Sequence, residues 1–200
     1  MVRLAVSVEG SSEEKFISQI LRPYFKDKNI IIQPILFKGS GGGINLKAVK
    51  KELNNLLNSF DIVTTFYDFY GFQNKQGTKT KEQLESKILE KVSPKLRTKL
   101  IPYIQAYEFE ALLFSEPNAI GAVVGFDGKE WGKKILNNFS QNPEMINNSF
   151  HTSPKHRIEN KGRYSPIIHA NKIIAKIGLK TIRQKCQGFN EWLTKIEGLN

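Results

Sequence analysis

Acidic side chains close three of the apolar runs in this sequence. Leu4–Val8 stops at Glu9, a run over 61–68 ends in Asp68, and a run over 100–107 feeds into Glu108 and Glu110. Carboxylates brought together repel one another, so some take up protons unless a cation sits among them. A donor set made only of oxygen suits Mg²⁺, with Mn²⁺ as its substitute. Mg²⁺ takes few ligands from protein and completes its shell with water and phosphate oxygens. The chemistry would be metal-assisted attack on a phosphodiester, with water activated and charge on the phosphorus oxygens offset. Ordinary capping explains some of the neighbouring acids. Ser11 or Ser12 reads as a helix N-cap, and Glu13 and Glu14 fall in the first turn, where the helix dipole favours them. Glu9 has no such explanation, because it stands at the end of a strand, where open α/β sheets bind their ligands.

Positioning these acids requires a sheet whose strands all end on one side. The first half of the chain alternates in the required way. A strand over 3–8 precedes a helix from about Ser12 carrying Phe16, Ile17, Ile20 and Leu21, and Pro23 is expected to end or kink it. "IIIQPILF" (30–37) reads as a strand with Pro34 inside, hence near a sheet edge. Leu46, Val49, Leu53, Leu56 and Leu57 mark a second helix. "DIVTTFYD" (61–68) is a short, apolar and β-branched strand, as expected of one covered on both faces. Leu84, Ile88 and Val92 mark a third helix, and "LIPYIQAY" (100–107) a fourth strand. Such alternation argues for an α/β fold with a parallel sheet of about four strands flanked by helices. Beyond Phe114 turn formers dominate, with a helical piece near 131–139 and helices bearing Ile173, Ile174, Ile177, Ile182, Phe189, Trp192, Leu193 and Ile196. The expected organisation is an α/β core over 1–115 and a basic, mainly helical extension over 116–200 packed on it.

Charge sharpens the functional classes. Of 200 residues, 30 are Lys or Arg and 19 are Asp or Glu, a net charge of +11. Residues 151–200 hold ten of the bases against three acids. A basic excess concentrated at one end points to a polyanion, nucleic acid first, although lysines also solvate helix faces. A single cysteine excludes a disulfide framework and a Cys-rich zinc site. No run reaches the ~20 apolar residues of a membrane span, and no signal-peptide pattern opens the chain, so a cytoplasmic protein without a membrane partner is expected.

Five segments carry a resemblance to a known family. "VEGSSE" (8–13), "DFYG" (68–71), "PYIQAYEFEALLF" (102–114), "TSPKHR" (152–157) and "GLKTIRQKCQGFNEW" (178–192) occur in this order. Together they resemble a bacterial family of small Toprim-like domains of unknown function, related to nucleases of the overcoming-lysogenization-defect type. The resemblance implies a Toprim-like, Rossmann-like sheet, with Mg²⁺ held by Glu9 and Asp68 and joined by Glu108 or Glu110. It also implies an ATPase partner in anti-phage defence. Two positions depart from the pattern. Tyr70 replaces the second aspartate of the D-x-D pair, and Tyr107 stands where many members carry histidine.

The expected catalytic set is Glu9, Asp68, Glu108, Glu110 and Lys155, with Lys155, Arg157, Arg163 and Arg183 gripping DNA or RNA. A guanidinium at Arg157 would hold a phosphate through two parallel hydrogen bonds. "KGSGGGIN" (38–45) lacks the spacing of a phosphate loop, and Lys47 is not placed to meet a phosphate. It reads as a loop at the rim of the site. His151, His156 and His169 lack the partners of a zinc site, and either of the first two has the pKa range of a general base. Cys186 lies near Arg183 and Lys185, which would lower its pKa, but no organised base accompanies it. Tyr70 is the aromatic expected to be exposed beside Asp68. The expected function is Mg²⁺-dependent phosphodiester cleavage. The rival is a catalytically inactive adaptor that binds nucleic acid or an ATPase.

Overall fold

The computed structural model describes residues 1–38, 43–147 and 149–199. The Gly39–Gly42 stretch of the glycine-rich loop lies outside the described residues. The chain divides into two compact units, one of residues 1–105 with 194–200 and the other of residues 106–193.

The first unit is α/β. Strand β1 (Val2–Val8) leads through α1 (Ser11–Phe16), a π-turn over Ile17–Leu21 and α2 (Arg22–Lys26) to β2 (Ile30–Leu36). Pro23 does not end the helix. It occupies the first turn of α2, where its missing N–H costs nothing, and the π-turn before it absorbs the mismatch. The N-cap of α1 is Gly10, not a serine.

After β2 come β3 (Ile44–Asn45), α3 (Leu46–Ser59), β4 (Ile62–Asp68) and β5 (Phe72–Asn74). Then follow α4 (Lys81–Lys91), β6 (Leu100–Ile101) and β7 (Ile104–Gln105). Asn45 caps α3 by accepting the Ala48 N–H, and the buried face carries Leu46, Val49, Leu53 and Leu57 at helical spacing.

The main sheet has five strands, all parallel. Its order is β2-β1-β4-β6, with β7 also on β4, and β3 pairs with β5 apart from it. Strand β2 is an edge strand, which accommodates Pro34. The expected fourth strand is broken into β6 and β7, because Pro102 cannot donate to a ladder. Threonines of β4 take over there. Thr64 Oγ1 donates to Ile101 O at 2.6 Å and Thr65 Oγ1 to Tyr103 O at 2.8 Å, while Tyr103 N donates to Thr65 Oγ1 at 2.9 Å. From β1 the chain first adds β2 on one side and later β4 on the other. The order therefore reverses between β1 and β4, and the ligand crevice of an open parallel sheet is expected outside the carboxyl ends of such a pair.

The second unit is helical. A 3₁₀ segment over Phe109–Ser115, all of it buried, precedes α5 (Pro117–Val124) and α6 (Gly128–Asn137). Then come α7 (Pro154–Glu159), α8 (Asn171–Ile177), α9 (Leu179–Lys185) and α10 (Gln187–Glu197), whose last residues belong to the first unit. Among the described residues no helix is long and apolar enough to cross a membrane.

Candidate functional site

Glu9 and Asp68 stand side by side at the reversal point. Val8 pairs with Phe66, so Glu9 follows the end of β1 while Asp68 is the last residue of its neighbour β4. The Asp68 backbone N–H donates to the Glu9 carboxylate. The other oxygen, Oε2, is buried and has no hydrogen-bond partner among the described residues. The carboxylate lies against Gly71, where an added Cβ would come within 2.1 Å of Oε2 and 2.6 Å of Oε1. Only glycine leaves that space open.

A carboxylate so placed binds its proton tightly. Burial pushes the Glu9 pKa up to about 7, the charge of Glu13 adds to the rise, and the Asp68 N–H opposes it. Glu13 is itself buried and folds back over Gly10, its Oε2 3.0 Å from where a Cβ would stand. The crevice thus gathers Glu9, Asp68 and Glu13 from the ends of β1 and β4 and the start of α1. All three donate only oxygen, which suits a hard divalent cation held through one or two carboxylates and water. Among the described residues no group of three or more His, Cys, Asp or Glu side chains closes tightly enough to cage an ion.

Beneath Glu9 lies a second polar group. Ser7, two residues earlier on the same face of β1, donates to Glu52 of α3 and bonds the hydroxyl of Tyr67 on β4. Glu52 also accepts the Lys38 backbone N–H at 3.2 Å. Burial raises the pKa of Glu52. The Tyr67 phenol rises well above its usual value, first through burial and then through the charge of Glu52, with Glu9 adding to it.

In the second unit the expected acids have structural partners. Tyr107 adopts φ +63° and the Glu108 N–H bonds Ala106 O at 2.9 Å, a tight left-handed turn that sets the direction of the acids that follow. Glu108 Oε2 accepts the Lys155 backbone N–H at 3.1 Å, in the first turn of α7. Glu110 Oε1 accepts the Tyr164 hydroxyl at 3.2 Å. Both carboxylates are buried.

The expected phosphate grips fare unevenly. The Lys155 ammonium faces Glu159 at 3.9 Å. Arg157 donates from Nε to Thr152 O at 2.6 Å and lies over the Phe139 ring, and Arg183 donates from Nε to Asn190 Oδ1 at 2.7 Å. Arg163 is exposed. His156 Nδ1 pairs with Ser153 Oγ at 2.9 Å, and His169 Nδ1 accepts the Ser165 N–H at 2.9 Å. The Cys186 expectation reverses. Burial, aided by Glu144, pushes the thiol up to about 12, far from a reactive thiolate.

A family model described as a domain of unknown function, DUF4276, matches residues 8–197. The chain belongs to this family. No curated protein and no solved structure matches it. In this DUF4276 chain the match begins one residue before Glu9 and runs through both units, so the crevice acids and the Glu108–Glu110 segment all fall inside it.

Sequence reasoning did not find Ser7, Glu52, Gly71 or the site role of Glu13. Ser7 carried a signal, as a hydroxyl inside an otherwise apolar run needs a buried partner. Glu52 neighbours the apolar stripe of α3, which also hinted at a partner. Tyr70, the aromatic expected to be exposed, is half-buried.

Proposed function

We propose that this DUF4276 chain is a Toprim-like, Mg²⁺-dependent nuclease. The observation that carries this reading is the Glu9 carboxylate. One of its oxygens is buried without a hydrogen-bond partner among the described residues, at the point between β1 and β4 where open parallel sheets bind ligands. Such an atom is costly to keep unless something occupies it in the working state. Glu9 and Asp68 are the residues that would hold the cation, with Glu13 beside them. The cation, when bound, supplies Lewis acidity toward a phosphodiester and its attacking water. Asp68 holds Glu9 through its backbone N–H, and Gly71 keeps the carboxylate's space clear. Glu13 adds negative charge beside Glu9, which a divalent cation would offset more fully than a proton does. The family resemblance adds an ATPase partner in anti-phage defence.

The test is cleavage of DNA and RNA by purified protein with Mg²⁺ or Mn²⁺. Wild type is expected to cut, and Glu9→Gln and Asp68→Asn to lose activity by about 100-fold or more. Equal cutting by wild type and Glu9→Gln would remove the reading.

Two observations favour a second reading, an inactive adaptor for nucleic acid or an ATPase. Tyr70 replaces an expected carboxylate, and the described residues form no cage of three metal-ligating side chains. The adaptor binds nucleic acid in a salt-sensitive way and takes up no divalent cation.

A further inference from the structure

From residue 160 to residue 190 the chain contains no acidic residue and seven Lys or Arg. At the whole-chain frequency of 19 acids in 200 residues, about three would fall in a stretch of this length. The structure turns this gap into a surface. Lys161, Arg163, Lys172, Lys176, Lys180 and Lys185 are all exposed. On α8 the lysines alternate with the buried Ile173, Ile174 and Ile177, so the apolar face is spent on packing and the outer face is basic. The helices α8 and α9 meet at Gly178, which adopts φ +79° and interrupts the helical repeat, and Lys180 is exposed in the first turn of α9 beyond that joint.

Two helical lysines elsewhere in the chain are matched by acids. Lys81 pairs with Glu85 at 3.1 Å and Lys155 with Glu159 at 3.9 Å, both one turn apart. Among the described residues none of the six exposed bases takes part in a salt bridge. Unneutralised like charges repel, and that repulsion is relieved when phosphates replace their counterions. The segment exposes only two large apolar side chains, Ile167 and Ile168, too narrow a face for the apolar insertion that membrane binding needs.

We infer that the outer face of α8 and α9, with Lys161 and Arg163 before it, is a nucleic-acid docking surface that grips the phosphate backbone. It is separate from the Arg157 and Arg183 positions, whose guanidiniums are engaged inside their own unit. The inference deepens the nuclease reading by naming its substrate grip, yet it stands equally for an adaptor, since it requires no chemistry.

The experiment measures binding of labelled single-stranded and duplex oligonucleotides by fluorescence anisotropy, with chelator present so that cleavage plays no part. Salt is varied from about 50 to about 200 mM. The full chain is compared with Lys172→Gln/Lys176→Gln/Lys180→Gln and with Lys47→Gln/Lys50→Gln/Lys51→Gln. The second variant removes the same charge from exposed positions of α3. All six positions are exposed, and retained circular dichroism checks the fold. The first variant should bind about tenfold more weakly or worse, and its log–log salt slope should fall by about 2. The α3 variant should bind like wild type. Equal losses in the two triple variants would overturn the inference, since only net charge would matter. So would absent oligonucleotide binding, or a stripe-dependent affinity for phosphatidylserine vesicles alone. Binding that follows the stripe in a protein that never cleaves would sink the nuclease reading and leave this inference standing.

Discussion

Glu9 is held in a form that binds a proton to about pH 7, and that has a measurable cost. The unfolded chain ionises this group near its ordinary 4.5, so the folded state binds the proton more tightly. The sign follows directly. Below about pH 4.5 the group is neutral in both states and makes no difference. As pH rises toward 7 stability falls, and above 7 the full penalty is present. Discounted for partial exposure, the penalty is about 2 kcal/mol. Glu9→Gln keeps the shape without the charge. Relative to wild type its melting temperature should therefore rise by about 5 °C between pH 5 and pH 8, measured calorimetrically without metal. A pH-independent difference would mean that Glu9 is not buried as described. Gly71→Ala tests the same pocket from the other side. Its methyl group would fall 2.1 Å from Glu9 Oε2, so the carboxylate must move. Mn²⁺ affinity should drop by about tenfold while the protein stays folded, and an unchanged affinity would show that Gly71 does not shape the site.

At the scale of elements, the fold depends on polar groups serving helix ends and strand breaks. Glu144 is buried and accepts the backbone N–H groups of Gly188 at 2.8 Å and Phe189 at 3.0 Å, in the first turn of α10. Glu144→Ala leaves those donors without their acceptor and should cost about 2 kcal/mol in urea unfolding. A loss below about half of that would mean that water replaces the carboxylate. The sequence made β1, β2 and β4 and the parallel character of the main sheet legible, because β1 and β4 are short apolar runs between helical periodicities. Pro34 marked the edge strand for a plain reason, its missing N–H. The break between β6 and β7 was not legible, since it depends on Thr64 and Thr65 reaching across to supply what Pro102 lacks. Glu144 was invisible for a similar reason: a carboxylate 43 residues before the helix it caps leaves no local pattern.

For the whole molecule, two features are distinct in kind. One is a group of carboxylates at the reversal of strand order, and the other a basic, acid-free face on α8 and α9. The basic excess was plain from composition, but which bases are exposed was not, and Arg157 and Arg183 turned out to be engaged internally. The site was half legible. Glu9 and Asp68 could be chosen from strand ends, whereas Glu13, Gly71, Ser7 and Glu52 join them only through packing. The central claim is that the crevice binds a divalent cation through Glu9. The most direct measurement is calorimetric titration with Mn²⁺ at pH 8, wild type beside Glu9→Gln. The account predicts saturable binding in wild type, weakening about tenfold per pH unit below 7 as the proton competes, and none in Glu9→Gln. Heats that are the same for the two proteins at pH 8 would contradict it.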